Sequence, residues 1–252
     1  MSERDTAVLD GWVKGSFDAA GFSRDTYRRG TGPAVIVVHE IPGMTPPVIA
    51  FANDVVEAGF TVVMPSLVGE PGQPMSNGYL AKSMLKVCVA KEFTTLALNR
   101  TSPIIAWLRA LARSLHNELG GPGVGAVGMC FSGGFALAMM VDDIMVAPVL
   151  SQPSMPFAAG GKARGANLNL SPDDAMVVAQ RASSGCEVLG LRFTGDKLVG
   201  SRFDSLRELL GDAFIAIELP SVKKNDHSVL TEQRDEASVQ RVLQFLREKL
   251  IV

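Results

Sequence analysis

Val124-Gly-Ala-Val-Gly-Met-Cys-Phe-Ser-Gly-Gly-Phe-Ala-Leu-Ala138 reads as an apolar strand that runs into a tight glycine-rich turn and at once into a helix. Cys130 stands at the apex of that turn. A strand and a helix that meet so sharply need small residues on both sides of the apex so that their backbones can approach. Gly128 and Ser132 take those positions, with Gly133 and Gly134 behind them. A thiol placed there faces the unpaired N–H groups and the positive dipole end of the helix, both of which favour thiolate. A free cysteine is usually one more small buried hydrophobe; its place in this turn is what marks Cys130 as a nucleophile. Ser132 is the rival, but in its register the preceding flank is Cys130 and the turn starts one step inside the helix. Cys88 and Cys186 have no such setting and read as packing residues.

Outward from the turn, short β-branched or apolar runs at Ala34–Val38, 61–64, 124–127, 144–150, 187–193 and 213–219 alternate with segments of helical periodicity. Such alternation predicts an α/β fold, a mainly parallel central sheet with helices on both faces. Helices are expected at 46–58, where proline opens and Gly59 stops the run, and at 101–119, ended by Gly120 and Gly121. Another runs from a Ser171 cap through Pro172, Asp173 and Asp174 towards Ala182. The last, at 232–249, has Val239, Val242, Leu243 and Leu246 as its packing face. Residues 12–28 read as an antiparallel edge hairpin. Residues 151–165, with Pro153, Pro156, Gly160, Gly161 and Gly165, read as an irregular loop, either near the mouth of the site or a solvated connector.

The 252 residues hold no repeat, low-complexity tract or linker and read as one domain, 1–252. A content of 47% hydrophobic against 20% charged residues excludes a disordered chain. A net charge of −2, with the 24 basic residues scattered, leaves no phosphate-neutralising surface for nucleic acid. The apolar stretch 135–150 is broken by Asp142 and Asp143, so it makes no membrane span. The opening MSERDTAVLDGW lacks the apolar run of a secretory signal, and the expected compartment is the cytoplasm. Three cysteines without paired short spacings fit neither a disulfide framework nor a zinc site, and no metal or organic cofactor is expected.

On Gly128-Met-Cys-Phe-Ser-Gly-Gly134 the chain resembles the dienelactone hydrolase family of the α/β-hydrolase superfamily. Members of that family carry cysteine in a G-x-C-x-G-G-type turn where most α/β-hydrolases carry serine. Ser132 replaces the usual glycine and is small enough for the turn to survive. A second family segment is matched by Val37-Val-His-Glu-Ile-Pro-Gly-Met44. The resemblance implies that Glu40 touches the nucleophilic thiol and helps to activate it, holding its proton until substrate binds. A carboxylate beside a thiol otherwise opposes thiolate by like-charge repulsion. In this fold the oxyanion donors are the N–H after the nucleophile and one from the loop after the early strand, which makes Phe131 and Ile41 the matching backbones.

Triads of this fold run nucleophile, acid, histidine along the chain. That order leaves His227, in Lys223-Lys-Asn-Asp-His-Ser-Val229, as the general base. The family has a similar Gly-His-Ser segment, with Asp226 here replacing glycine. His116 precedes Cys130 on a charged helix and reads as solvated, while His39 lies at the wrong end and reads as structural. Phe193-Thr-Gly-Asp196 matches the family's strand, glycine, acid pattern, so Asp196 is the expected partner of His227. Asp204, inside the following helix, and Asp226, adjacent to His227 along the chain, compete for that role.

The resemblance implies an enzyme that cleaves a small ester or lactone through a cysteinyl acyl-enzyme. A non-catalytic ligand-binding or interaction module on the same fold is the alternative, against which the complete Cys, His, Asp and Glu set argues. A thiol redox protein using Cys130 would lack a nearby resolving cysteine. Family members that act on dienelactone hold its carboxylate with arginines, one of them a few residues after the catalytic histidine. Thr231 stands at that position and offers one neutral hydrogen bond in place of a charged fork. Lys82, Lys86 or Lys91, in the segment of the family's other arginine, would compensate in part. Weak preference for a carboxylated substrate is therefore expected.

Overall fold

The computed structural model describes residues 8–93, 97–157 and 161–251. β1 (Val13–Ala19) and β2 (Phe22–Arg29) form the expected antiparallel hairpin at the sheet edge. β2 pairs antiparallel with β4 (Thr61–Pro65). From there the sheet is parallel through β3 (Ala34–Val38), β5 (Val124–Met129), β6 (Met145–Ser151), β7 (Val188–Phe193) and β8 (Phe214–Leu219). The order across the eight strands is β1-β2-β4-β3-β5-β6-β7-β8.

Side chains alternate across a strand, and in β3 both sets are apolar. Ala34, Ile36 and Val38 join Val124 and Ala126 of β5 in one core cluster, whereas Val35 and Val37 join Val127 and Met129 in another. A sheet that is apolar on both faces needs helices on both. α1 (Pro46–Glu57) and α8 (Glu236–Leu250) bring Phe51, Val55, Val239 and Phe245 to the second cluster. The first is covered by α3 (Ile104–Leu119), α4 (Phe135–Met139), α6 (Pro172–Ser183) and α7 (Arg202–Leu210), with Trp107, Phe135, Val178 and Phe203. Full burial of one such large apolar side chain contributes about 2–3 kcal/mol. Trp107 adds direction, since its indole N–H donates to the Phe17 carbonyl at 3.1 Å and ties the edge hairpin to α3.

Several boundaries differ from the expected ones for local reasons. α3 starts at Ile104 rather than 101, because the Thr101 hydroxyl donates to Asp174 and accepts the Ser171 N–H at 3.0 Å. α8 starts at Glu236 rather than 232, because the Asp235 carboxylate accepts the Ser238 N–H at 2.8 Å and caps the helix there. α2 (Asn77–Val89) was not expected. Its buried face holds only Tyr79, Ser83 and Val87, while Leu85 and Val89 are exposed, so the apolar period is blurred in the sequence. α5 (Lys162–Ala166) interrupts the stretch read as an irregular loop. Residues 1–7 of the opening segment, and Gly160, lie outside the described residues. Among the described residues, no helix is long and apolar enough to cross a membrane.

Candidate active site

The segments singled out in the sequence meet at the carboxyl ends of the parallel strands, where open α/β sheets place their ligands. β5 ends at Met129, and Cys130 follows with φ at 55°, in the left-handed region that a residue with a side chain rarely adopts. Such a backbone costs on the order of 1–3 kcal/mol and has to be held by its surroundings. Ser132 does the holding. Its hydroxyl accepts the Met129 N–H at 2.9 Å and reaches the carbonyls of Val38 at 3.0 Å, His39 at 3.1 Å and Met129 at 2.9 Å. This locks the turn to β3 and leaves the buried Ser132 hydroxyl engaged in structure. The Cys130 carbonyl accepts N–H groups from Gly133 at 3.0 Å and Ser154 at 2.9 Å. A Cβ at Gly128 would stand 2.2 Å from the Ser132 carbonyl oxygen, so the approach admits only glycine.

His227 is brought to the same place by the loop between β8 and α8. Its Nδ1 lies 2.6 Å from Asp196 Oδ2, and the other Asp196 oxygen accepts the Leu198 N–H at 2.9 Å. Gln233 Oε1 accepts the backbone N–H groups of His227 at 3.1 Å and Ser228 at 2.9 Å, which fixes the loop. The other ring nitrogen, Nε2, is buried and has no partner in full hydrogen-bond geometry. The Cys130 sulfur is nonetheless close enough to act on it. Burial disfavours the imidazolium, but the influence of Cys130 and the bond to Asp196 outweigh it, raising the His227 pKa well above 6.5.

The competing acids are engaged elsewhere. Asp226 Oδ2 accepts the N–H groups of Val222 at 2.8 Å and Lys223 at 2.7 Å, and exposed Asp204 pairs with Arg207. His39 is fully buried; its Nε2 accepts the Leu67 N–H at 3.0 Å, and its Nδ1 lies 2.8 Å from the Glu40 carbonyl. Burial pushes its pKa down to about 4, so the ring is neutral and structural. His116 is half-buried on α3, with Nδ1 buried and unpartnered among the described residues, and not solvated as expected. Ile41 stands in the loop after β3, the strand that pairs with β5, and Phe131 directly follows Cys130 in the turn.

One expectation needs correction. Glu40, expected at the thiol, directs its carboxylate elsewhere: Oε2 accepts from Ser228 Oγ at 2.7 Å and Gln152 Nε2 at 3.2 Å, and Oε1 accepts from the Thr231 hydroxyl. A buried carboxylate is satisfied by three such donors, whereas a sulfur anion beside it would repel it. Thr231, which stands where the family's arginine would meet a substrate carboxylate, is itself buried and engaged with Glu40. Of the lysines proposed to compensate, Lys82 and Lys86 line a cavity of about 200 Å³ with Glu70, Ser76 and Tyr79, while Lys91 is exposed. Lys86 also borders a cavity of about 350 Å³ that includes Leu67, Val68 and Phe93. The Phe93 ring meets Phe131 edge-on at 5.5 Å, beside Cys130.

Sequence reasoning missed Gln152 and Arg202. Gln152, second in the 151–165 segment, has φ at 35° and is fully buried against Glu40. Arg202 is almost fully buried and donates to the carbonyls of Met155, Pro156, Arg164, Asn167, Leu198 and Val199. It thereby ties the 151–165 segment to the loop that carries Asp196. Burial lowers its pKa to about 10, which leaves it charged at neutral pH. One signal was available: an arginine in the first turn of a helix opposes the dipole, and here its charge is turned inward.

The sequence profile of the dienelactone hydrolase family matches residues 22–250. No curated protein matches the chain. Among solved structures it is similar to the dienelactone hydrolase from Anabaena variabilis ATCC 29413, at 14% identity over 95% of this chain and 98% of that one, with a TM-score of 0.65. It is similar to a cold-adapted esterase from an Arctic intertidal metagenomic library, at 15% identity over 94% and 93% of the two chains and a TM-score of 0.60. XC6422 from Xanthomonas campestris, an α/β serine hydrolase without a lid, shares 14% identity over 96% and 97%, with a TM-score of 0.58. These likenesses identify the fold as that of the α/β-hydrolases.

Proposed function

Because the chain belongs to the dienelactone hydrolase family, we propose that it hydrolyses a small carboxylic ester or lactone through a cysteinyl acyl-enzyme, with Cys130, His227 and Asp196 as its triad. The observation that carries this reading is one buried imidazole whose Nδ1 lies 2.6 Å from Asp196 Oδ2 and which Cys130, at the apex of the turn, is close enough to influence. His227 takes the Cys130 proton, which gives the thiolate, the form of cysteine that attacks carbonyl carbon.

The Cys130 sulfur adds to the substrate carbonyl, and the charge that develops on oxygen is met by the N–H groups of Phe131 and Ile41. Collapse of the tetrahedral intermediate breaks the C–O bond, and the leaving alkoxide takes the proton of the His227 imidazolium. Neutral His227 then removes a proton from water as the water oxygen adds to the thioester carbon. The second collapse expels the Cys130 thiolate, which takes back its proton from His227, and frees the acid. A lactone yields a single hydroxy acid, because its alcohol and acyl parts remain joined. Throughout, Asp196 keeps the ring oriented and stabilises its charge.

Selective alkylation tests the nucleophile. Limiting iodoacetamide at neutral pH should modify Cys130 before Cys88 or Cys186, with activity lost in proportion. Burial raises the Cys186 pKa and withholds its thiolate. Modification of either other cysteine first, with activity retained, would overturn the assignment.

A further inference from the structure

The hydrolytic steps above make no use of the buried Glu40 carboxylate, yet its three donors come from the segments that carry the reacting groups. Ser228 and Thr231 belong to the loop of His227, with Ser228 its immediate neighbour. Gln152 lies two residues before Ser154, whose N–H holds the Cys130 carbonyl at 2.9 Å. Glu40 itself directly precedes Ile41, the oxyanion donor of the proposed mechanism. Gln152 closes the circuit, since its Oε1 accepts from the Ser151 hydroxyl and lies 3.4 Å from the Val229 N–H, again in the His227 loop. One carboxylate therefore joins the backbone segments of the base, the oxyanion donor and the nucleophile.

We propose that Glu40, Gln152 and Thr231 are positioning residues, a buried latch that fixes the His227 loop against the β3 loop, and that Glu40 works through that loop and not on the Cys130 sulfur. The inference rests on the reading of Cys130 and His227 as the reacting pair. All three donors are neutral, so the latch closes without any charge from the substrate. Swinging Glu40 onto the sulfur would strip three buried hydrogen bonds from the carboxylate and leave the Thr231 and Ser228 hydroxyls unpaired. The site is thus assembled before substrate arrives, and a substrate carboxylate has no part in switching it on.

Thr231→Val removes one donor with little change in shape, and Thr231→Ser restores it. With a neutral p-nitrophenyl ester, Thr231→Val should lower kcat about tenfold or more while KM stays within about twofold, the pattern of a displaced base and an intact binding site. Thr231→Ser should recover most of the loss. Ser228→Ala, which removes a different donor from the same carboxylate, should show the same kcat-only loss and stands in if Thr231→Val is too unstable to measure. Alkylation of Cys130 in the wild-type protein should not be accelerated by an unreactive carboxylated substrate analogue. The latch is overturned by unchanged kcat in these variants, by a serine that rescues no better than valine, or by an analogue that speeds alkylation. Cys130→Ala separates the two ideas: if it keeps turnover the nucleophile reading fails, and if it is inactive while Thr231→Val is normal the latch alone fails.

Discussion

Replacing Asp196 with asparagine keeps the outline of the site and removes one charge. Asp196 Oδ2 lies 2.6 Å from His227 Nδ1, its other oxygen accepts the Leu198 N–H at 2.9 Å, and the side chain is buried. Asparagine keeps the Leu198 bond with its oxygen and turns its amide hydrogens towards Nδ1. The ring must then carry its proton on Nε2, the atom that has to accept one from water. Burial, the largest influence on His227, would be opposed by Cys130 alone, so the imidazolium also becomes harder to form. A base in the wrong tautomer costs about a thousandfold to ten-thousandfold in kcat, or about 4–5.5 kcal/mol of barrier. The assay is kcat and KM for p-nitrophenyl acetate at neutral pH, with circular dichroism to verify the fold. Adding His227→Ala to Asp196→Asn should cost little more than the worse single change, because members of one catalytic unit act together. A loss in Asp196→Asn smaller than about tenfold, or full additivity of the two losses, refutes the pairing.

The histidines set opposite pH dependences of stability. For His39 the folded pKa of about 4 lies below the ordinary 6.5, so the unfolded chain takes up the extra proton and stability is lost as pH falls from 6.5 to about 4. The loss is on the order of 3 kcal/mol, and an identical acid slope in urea titrations of wild type and His39→Gln would exclude it. For His227 the folded pKa is raised, so its contribution is present below pH 6.5 and disappears as pH rises through the raised value. Melting temperatures of wild type relative to His227→Gln should fall over that range, and a constant difference contradicts it. Gly128→Ala should abolish activity and lower the melting temperature, because the added Cβ would stand 2.2 Å from the Ser132 carbonyl; an active, stable variant would exclude this turn geometry. With Thr231 engaged, a carboxylated lactone and its neutral methyl ester should differ by less than about tenfold in kcat/KM, and a carboxylate preference of about a hundredfold that persists at high salt would reveal a dedicated anion site.

The turn at Cys130 was legible because its requirements are local: an apolar strand, an apex and small neighbours within a few residues. β3 was legible because a five-residue run buried on both faces is apolar throughout. Glu40 was misread because its partners, Gln152, Ser228 and Thr231, lie more than a hundred residues away, and only the folded chain shows which donors reach it. Arg202 was missed because its partners are backbone carbonyls, which no residue type announces. The start of α8 was misplaced because polar Glu232 to Arg234 suit a helix by composition, whereas Asp235 competes for the cap and leaves them to the turns behind His227.

The acyl-enzyme itself is the most direct test of the account. Wild-type protein mixed with an aryl ester that deacylates slowly, quenched in acid during turnover and examined by mass spectrometry, should gain the mass of one acyl group. Proteolysis should place that mass on the peptide containing Cys130, with fragmentation assigning it to the sulfur and hydroxylamine removing it as it removes a thioester. An acyl group on Ser132, or steady turnover of that ester with no covalent adduct at any time, would contradict cysteine as the nucleophile.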